Sequence, residues 1–267
     1  MLTADQIRNA AEALEAAERE RHQIRPVSAD FPDMTMADSY AIQDAWMGLK
    51  YAAGESLRGR KIGLTSRAMQ VAMKIDEPDY GTLTDSMLFD DGASLEAARF
   101  TDPRIEVELA FVLNTRLQGD RLTPWEVLKA TDFVVPALEL IAARSFRVDP
   151  QSGRTRTVLD TIADNAAAAG VILGGRPIRP MDVDLRRVSA LLYRNGVIEE
   201  TGVAAGVLNH PANGIVWLAR RLAAHDIGLE AGQVILAGSF TRPVAILPGD
   251  TFHADYGELG AISCHFD

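Results

Sequence analysis

Apolar residues recur along this chain with two different periods, and the change between them divides it. In residues 1–57 the spacing is helical. Ile7, Ala10, Ala11 and Leu14 follow an i, i+3, i+4, i+7 pattern, and Thr3 with Gln6 three positions on reads as a capping box. A second helix is predicted from about Thr35, with Asp38 three residues on, a stripe of Ile42, Trp46 and Leu49, and Gly54 as a stop. A proline-marked connection, 25–33, joins the two.

From about residue 58 the period falls toward two. GRKIGLTS (59–66) reads as a strand leading into a loop, with Ser66 capping a short helix over 67–74. IEVELAFVL (105–113) has the clearest strand alternation in the chain. Thr123-Pro124-Trp125-Glu126 is a compact helix start, and DFVVPALELI (132–141) is another β-rich run. Pro136 inside that run predicts an edge position or a bulge. Asn195-Gly196 between two apolar runs predicts a hairpin. A surface helix is expected over 211–225, with Ile215, Leu218, Ala219 and Leu222 on one face and Gly228 after its end. QVILAGSF, TFHADY and AISCHF close the chain as strands, separated by turns at 248–250 and 257–260. The expected class is α+β, with a helical N-terminal region (1–57) and a β-rich catalytic body (58–267).

Composition narrows the partners. The 267 residues are 47% hydrophobic and carry a formal charge of −10, with no clustered run of Lys or Arg. Nucleic acid is therefore not an expected partner. No stretch approaches a membrane span, the N-terminus lacks the apolar core of a secretory signal, and Cys264 is a lone cysteine. The expectation is a soluble cytoplasmic protein.

The candidate chemistry starts from RIEVELAF. Strand alternation puts Glu106 and Glu108 on one face and Ile105, Val107, Leu109 and Phe111 on the other. Glu139 sits in a second apolar run, PALELI. Three carboxylates on largely apolar strands suit a hard divalent cation such as Mg²⁺ or Mn²⁺. The same alternation suits half-exposed strands whose acids face water, and both readings stay open at this level. Lys61, in RKIGL, is either a surface lysine beside Arg60 or a group that meets a substrate carboxylate or moves a proton. None of His22, His210, His225, His253 and His265 has a metal-ligand spacing, and His210 reads as part of a helix cap. There is no G-x-S-x-G, Walker A or dinucleotide fingerprint.

KIGLTS (61–66), EPDYGTL (77–83), RIEVELAFVL (104–113), VPALELI (135–141), DTIADNAA (160–167) and GVLNHPANGIVWLA (206–219) follow one another along the chain. In that order they resemble the hydratase/decarboxylase family of aromatic meta-cleavage pathways. The resemblance covers nearly the whole chain and implies a β-roll body of the fumarylacetoacetate-hydrolase type. It implies a Mg²⁺-type ion on Glu106, Glu108 and Glu139, a substrate-contacting or catalytic Lys61, and Asp79 as its partner in proton transfer. It associates Thr161, Asp164 and Asn165 with substrate, although Asp-Asn pairs also form turns. The implied reaction is metal-dependent hydration of 2-hydroxyhepta-2,4-diene-1,7-dioate, in homoprotocatechuate breakdown, to 4-hydroxy-2-oxoheptane-1,7-dioate. The alternatives are decarboxylation of a 2-oxo-3-enedioate of the 4-oxalocrotonate type and hydration of 2-hydroxypenta-2,4-dienoate. C–C hydrolysis of an acylpyruvate is a further mechanism on the same fold. A seven-carbon diacid needs a cation for its distal carboxylate, with Arg67, Arg144, Arg147 and Arg156 available. The family also tends toward homo-oligomers.

Overall fold

The structure, a computed structural model, describes residues 1–73 and 75–267, the side chains of 72 and 73 excepted. The expected 67–74 helix therefore ends, at Lys74, outside the described residues. Helices α1 (Ala4–Arg19) and α3 (Met36–Ala52) both start in full capping boxes, Thr3/Gln6 and Thr35/Asp38. A single turn, α2 (Val27–Asp30), lies between them. Their apolar faces close over Leu14, Ile42 and Trp46, together with Ala163 of a later helix. Trp46 is fully buried, its indole N–H donates to Glu15 (2.7 Å), and the Arg144 guanidinium lies 4.8 Å from its ring. The helical part is thus anchored on the body by a buried aromatic and a cation over its face.

The body begins with β1 (Leu57–Gly63), α4 (Arg67–Met73) and β2 (Asp79–Thr84). Ser66 caps α4 by accepting from the Met69 N–H (3.3 Å). Short strands β3 (Leu88–Asp90) and β4 (Ser94–Leu95) lead to the long β5 (Arg104–Leu113). Helix α5 (Pro124–Lys129) turns the chain into β6 (Thr131–Ile141). Then come α6 (Val158–Ala163), β7 (Ala168–Leu173), β8 (Ser189–Arg194) and β9 (Val197–Val203). The chain ends with α7 (Pro211–Ala223), β10 (Val234–Leu236), β11 (Val244–Ala245), β12 (Thr251–Asp255) and β13 (Ala261–Phe266).

Among the described residues these strands form two sheets. The larger runs β2-β1-β10-β5-β6-β7-β3, with β11 added on β5, and the smaller runs β4-β13-β12-β8-β9. The main core joins Ile105, Val107, Leu109 and Phe111 of β5 to Leu192, Phe252, Ile262 and Phe266 of the smaller sheet. Each such side chain contributes about 1.5–3 kcal/mol on burial, so the odd-numbered face of β5 is fixed firmly inward. Its even-numbered face is left for other work.

Three local expectations change. Pro136 lies on an interior strand, opposite Leu109 of β5. Val134 bonds Ile178 through both its N–H and its C=O, so Pro136, two residues on, turns its nitrogen to the same side. There β7 has already ended at Leu173, so the missing N–H removes no ladder bond. Helix α7 stops at Ala223, and the left-handed residue beyond it is Asp226 (φ 57°), not Gly228. The QVILAGSF segment is regular strand only over Val234–Leu236, beyond which the Ala237 and Phe240 N–H groups donate to the Leu109 and Val107 carbonyls of β5. The Asn195-Gly196 hairpin forms as expected, with φ of 54° and 81°, and His210 caps α7 by accepting from the Ala212 N–H.

Candidate active site

Five side chains from four strands meet at one place. β5 and β6 pair so that Glu106 stands directly opposite Glu139. Strand alternation then puts Glu106, Glu108 and Glu139 on one face, away from the main core. One carboxylate oxygen from each lies within 4.8 Å of the other two. β1 and β2 pair with Gly63 opposite Asp79, which brings Asp79 beside Lys61. Lys61 Nζ is 3.1 Å from Glu139 Oε1. Gly63 is required here, because a Cβ would sit 2.1 Å from Asp79 Oδ1. Gly238 is required as well. Its N–H donates to Glu108 (2.8 Å), its φ is +119°, and a Cβ would meet Thr65 Oγ1 at 2.3 Å.

Burial makes these charges matter. Lys61, Asp79, Glu108 and Glu139 are 1–3% exposed, and Glu106 opens onto a cavity. Loss of water, with the Glu139 charge, pushes Glu106 up to about 8 and Glu108 well above the usual carboxylate range. Burial also raises Asp79, to about 6, although Lys61 pulls the other way. Burial alone would lower Lys61, but Glu139, Asp79, Glu106 and Glu108 outweigh it and hold the ammonium well above its ordinary value. Lys61 is thus held as a positive charge beside the acids. The surface-lysine reading of this residue does not survive its burial.

The donor set fits a hard dication. It is all oxygen, three-fold and mutually repelling, and neither Glu139 oxygen accepts a hydrogen bond of good geometry. Asp79 Oδ1 is also buried without a partner. A cavity of about 620 Å³ opens beside Lys61, Asp79, Glu106 and Glu108, a size that suits a small organic acid.

The other candidates separate. Thr161 lines the cavity. Asp164 does not. It is buried against Arg144, which donates to it through its backbone N–H (2.8 Å) and its Nε (2.5 Å). Asn165 is also turned away, bonding the Thr82 N–H (2.7 Å) and C=O (2.9 Å) of β2. Its neighbours Ala166 and Ala167 reach the cavity instead. Asn165, Ala166 and Ala167 all have left-handed φ, 50–60°, a run that L-residues resist by roughly 1–2 kcal/mol each. The two Asn165 bonds to β2 hold that run in place. Of the arginines, Arg147 and Arg156 line the cavity, Arg144 is buried with Asp164, and Arg67 is not in the wall. The sequence reading missed Arg104, which shares the Glu106 face of β5 and also lines the cavity. Its even-numbered position on β5 was the available signal.

The family model for the fumarylacetoacetate (FAA) hydrolase C-terminal region matches residues 52–267. The chain belongs to the fumarylacetoacetate hydrolase family. It is 61% identical to the 2-oxo-hept-4-ene-1,7-dioate hydratase of Escherichia coli, over 96% of each chain. It is 37% identical to the 2-keto-4-pentenoate hydratase of Paraburkholderia xenovorans (strain LB400), over 100% of this chain and 97% of that one. The solved structure of 4-oxalocrotonate decarboxylase from Pseudomonas putida G7, complexed with magnesium and adipate, superposes with a TM-score of 0.95. That match has 34% identity and covers 100% of this chain and 99% of the other. The helical N-terminal part and curled mixed sheets are the fold of this enzyme family. Among the described residues no helix is long and apolar enough to cross a membrane.

Proposed function

We propose that the protein is a divalent-metal-dependent hydratase that converts 2-hydroxyhepta-2,4-diene-1,7-dioate (2-oxo-hept-4-ene-1,7-dioate) to 4-hydroxy-2-oxoheptane-1,7-dioate. The observation that carries this is the buried Glu106/Glu108/Glu139 cluster with Lys61 at 3.1 Å, in a chain 61% identical to a hydratase of that substrate. Glu106, Glu108 and Glu139 would hold the ion, Mg²⁺ or Mn²⁺, which would supply Lewis-acid polarisation to a 2-oxo acid.

The chain's own groups do the rest. Hydration needs a proton to leave the 2-hydroxyl and arrive at C5, which leaves a conjugated 2-oxo-3-ene with an electrophilic C4. Water then adds at C4 and a proton at C3. Lys61, held charged by its carboxylates, donates toward oxygen as negative charge grows there. Asp79, raised to about 6 and with Oδ1 unpartnered, is poised to take and return a proton near neutral pH. Thr161, Ala166 and Ala167 form part of the cavity wall beside these groups.

The test is turnover of 2-hydroxyhepta-2,4-diene-1,7-dioate with EDTA, Mg²⁺ or Mn²⁺, following the dienol absorbance and identifying product by NMR. A 4-hydroxy-2-oxo diacid formed only with the ion supports the reading. The second reading, decarboxylation of a 2-oxo-3-enedioate, is favoured by the superposition on 4-oxalocrotonate decarboxylase. Release of CO₂ from such a substrate, with no hydration of the dienedioate, would replace the first reading by the second.

A further inference from the structure

The acids occupy only part of the cavity wall. Arg104, Arg147 and Arg156 line another part of it. Asp102 is the acid among them, 3.6 Å from Arg104 and 3.9 Å from Arg147. Arg242 and Glu200, 2.7 Å apart, also line the cavity and cancel, so these charges sum to 4 − 2 = +2 in a chain whose overall charge is −10. Two of the three arginines have unspent donors. Arg104 Nε is buried with no hydrogen-bond partner. Arg156 donates to the Ser145 carbonyl (3.2 Å) and, among the described residues, has no carboxylate within 4.0 Å. Burial and the nearby Arg147 and Arg144 charges work against its own, with Asp164 and Asp102 too far to pair. Asp164 is in any case committed to Arg144. Arg104 and Arg156 are partly buried and Arg147 is half exposed, and a partly desolvated cation cluster with free donors is suited to an anion.

Its position matches one ligand class. Arg104 and Glu106 are two residues apart on one face of β5, so their Cα atoms are about 6.6 Å apart. In an extended seven-carbon 2-oxo diacid, five bonds of about 1.5 Å separate C2 from the far carboxyl carbon, a span of roughly 6 Å. A diacid of this length, its 2-oxo acid head at the glutamate cluster, spans enough of the same cavity to reach its arginine-lined part. We infer that Arg104, Arg147 and Arg156 form the subsite that selects a dicarboxylic 2-oxo acid over a monocarboxylic one, with Arg156 as its anchor. This rests on the reading of the glutamate cluster as the place where the 2-oxo acid head binds.

Binding of unreactive analogues tests it. Protein loaded with Mg²⁺ is titrated calorimetrically with 2-oxoheptanedioate and with 2-oxopentanoate, neither of which has the C4 double bond. Wild type is expected to prefer the diacid. Arg156→Gln should weaken the diacid on the order of 10–100-fold, the range of a lost charge-assisted hydrogen bond, and bring the preference close to one. Arg156→Lys keeps the charge without the planar fork and should fall between. Equal weakening of both ligands, or an unchanged preference, overturns the subsite. If Arg156→Gln does not fold, Arg147→Gln decides, since that side chain is half exposed. It must then lower the preference at least about threefold. Because the probes do not react, CO₂ in the turnover assay removes the hydratase reading and leaves the subsite standing. Wild type that binds neither probe overturns both.

Discussion

Glu108→Gln separates two properties of the acid cluster, its self-repulsion and its hold on a cation. The substitution is close to isosteric, and the amide oxygen can still accept from the Gly238 N–H that now donates to Glu108 at 2.8 Å. What changes is charge. Two unit charges 4.8 Å apart repel by about 3 kcal/mol at an effective dielectric of about 20. Protons already relieve part of this near neutral pH, because Glu106 is pushed up to about 8 and Glu108 well above its usual range. Both folded-state values lie above the unfolded 4.5, so folding takes up protons. The Glu106 contribution to ion-free stability is full below pH 4.5 and is lost as pH rises through about 8, and Glu108, also raised, acts in the same direction. At pH 8 the ion-free variant should therefore melt level with, or above, ion-free wild type. Magnesium should reverse the order. An ion at 100 times its Kd stabilises wild type by about 2.7 kcal/mol, or about 5–10 °C for a chain of this size. The variant, with one ligand charge gone, should gain less than about 2 °C at the same concentration. Thermal melts followed by circular dichroism, with EDTA and across a MgCl₂ series, measure all four states. A variant that keeps the full magnesium shift, or whose ion-free form melts several degrees lower at pH 8, would refute the three-carboxylate site.

Lys61→Met removes the cation 3.1 Å from Glu139, so Mg²⁺ affinity by calorimetry should hold or tighten while turnover falls at least about 100-fold. Wild-type-like turnover would take Lys61 out of the chemistry. Asp79, raised to about 6, should give kcat/KM an acid limb near that pH, since its ionised form grows in as pH rises. Asp79→Asn should abolish the limb along with most activity, and a limb that persists belongs to another group. Asp164→Asn leaves the buried Arg144 with only the more distant Glu18 (3.6 Å) as counter-charge and should destabilise by up to about 3 kcal/mol in urea titration, with Mg²⁺ affinity unchanged. An Asp164→Asn protein of normal stability and raised KM would instead make Asp164 a substrate contact.

The fates of the individual residues show where sequence reasoning works. Thr3 with Gln6 and Thr35 with Asp38 act over three positions, and the helices start where they indicate. The Glu106/Glu108 face follows from the two-residue period of one strand. Pro136 failed because its tolerance depends on where another strand, β7, stops. Asp164 and Asn165 lie outside the cavity wall for a similar reason. Their adjacency in sequence to Ala166 and Ala167 says nothing about which of the four turns into the cavity, and Arg144 and Thr82, far along the chain, decide it.

By itself, then, the sequence determined the helix starts, the hairpin turn, the inward face of β5 and the presence of three acids on apolar strands. Each depends on contacts within a few residues, where propensity, capping and periodicity operate. Tertiary structure decided that Glu106 faces Glu139, that Lys61 is buried against them, and that Arg104, Arg147 and Arg156 share the same cavity. Register and burial arise from packing between segments distant in the chain, and the charge state of a buried group follows from which partners that packing leaves beside it. The net charge of −10 is a sum over the whole surface and carries no sign of a local excess of +2.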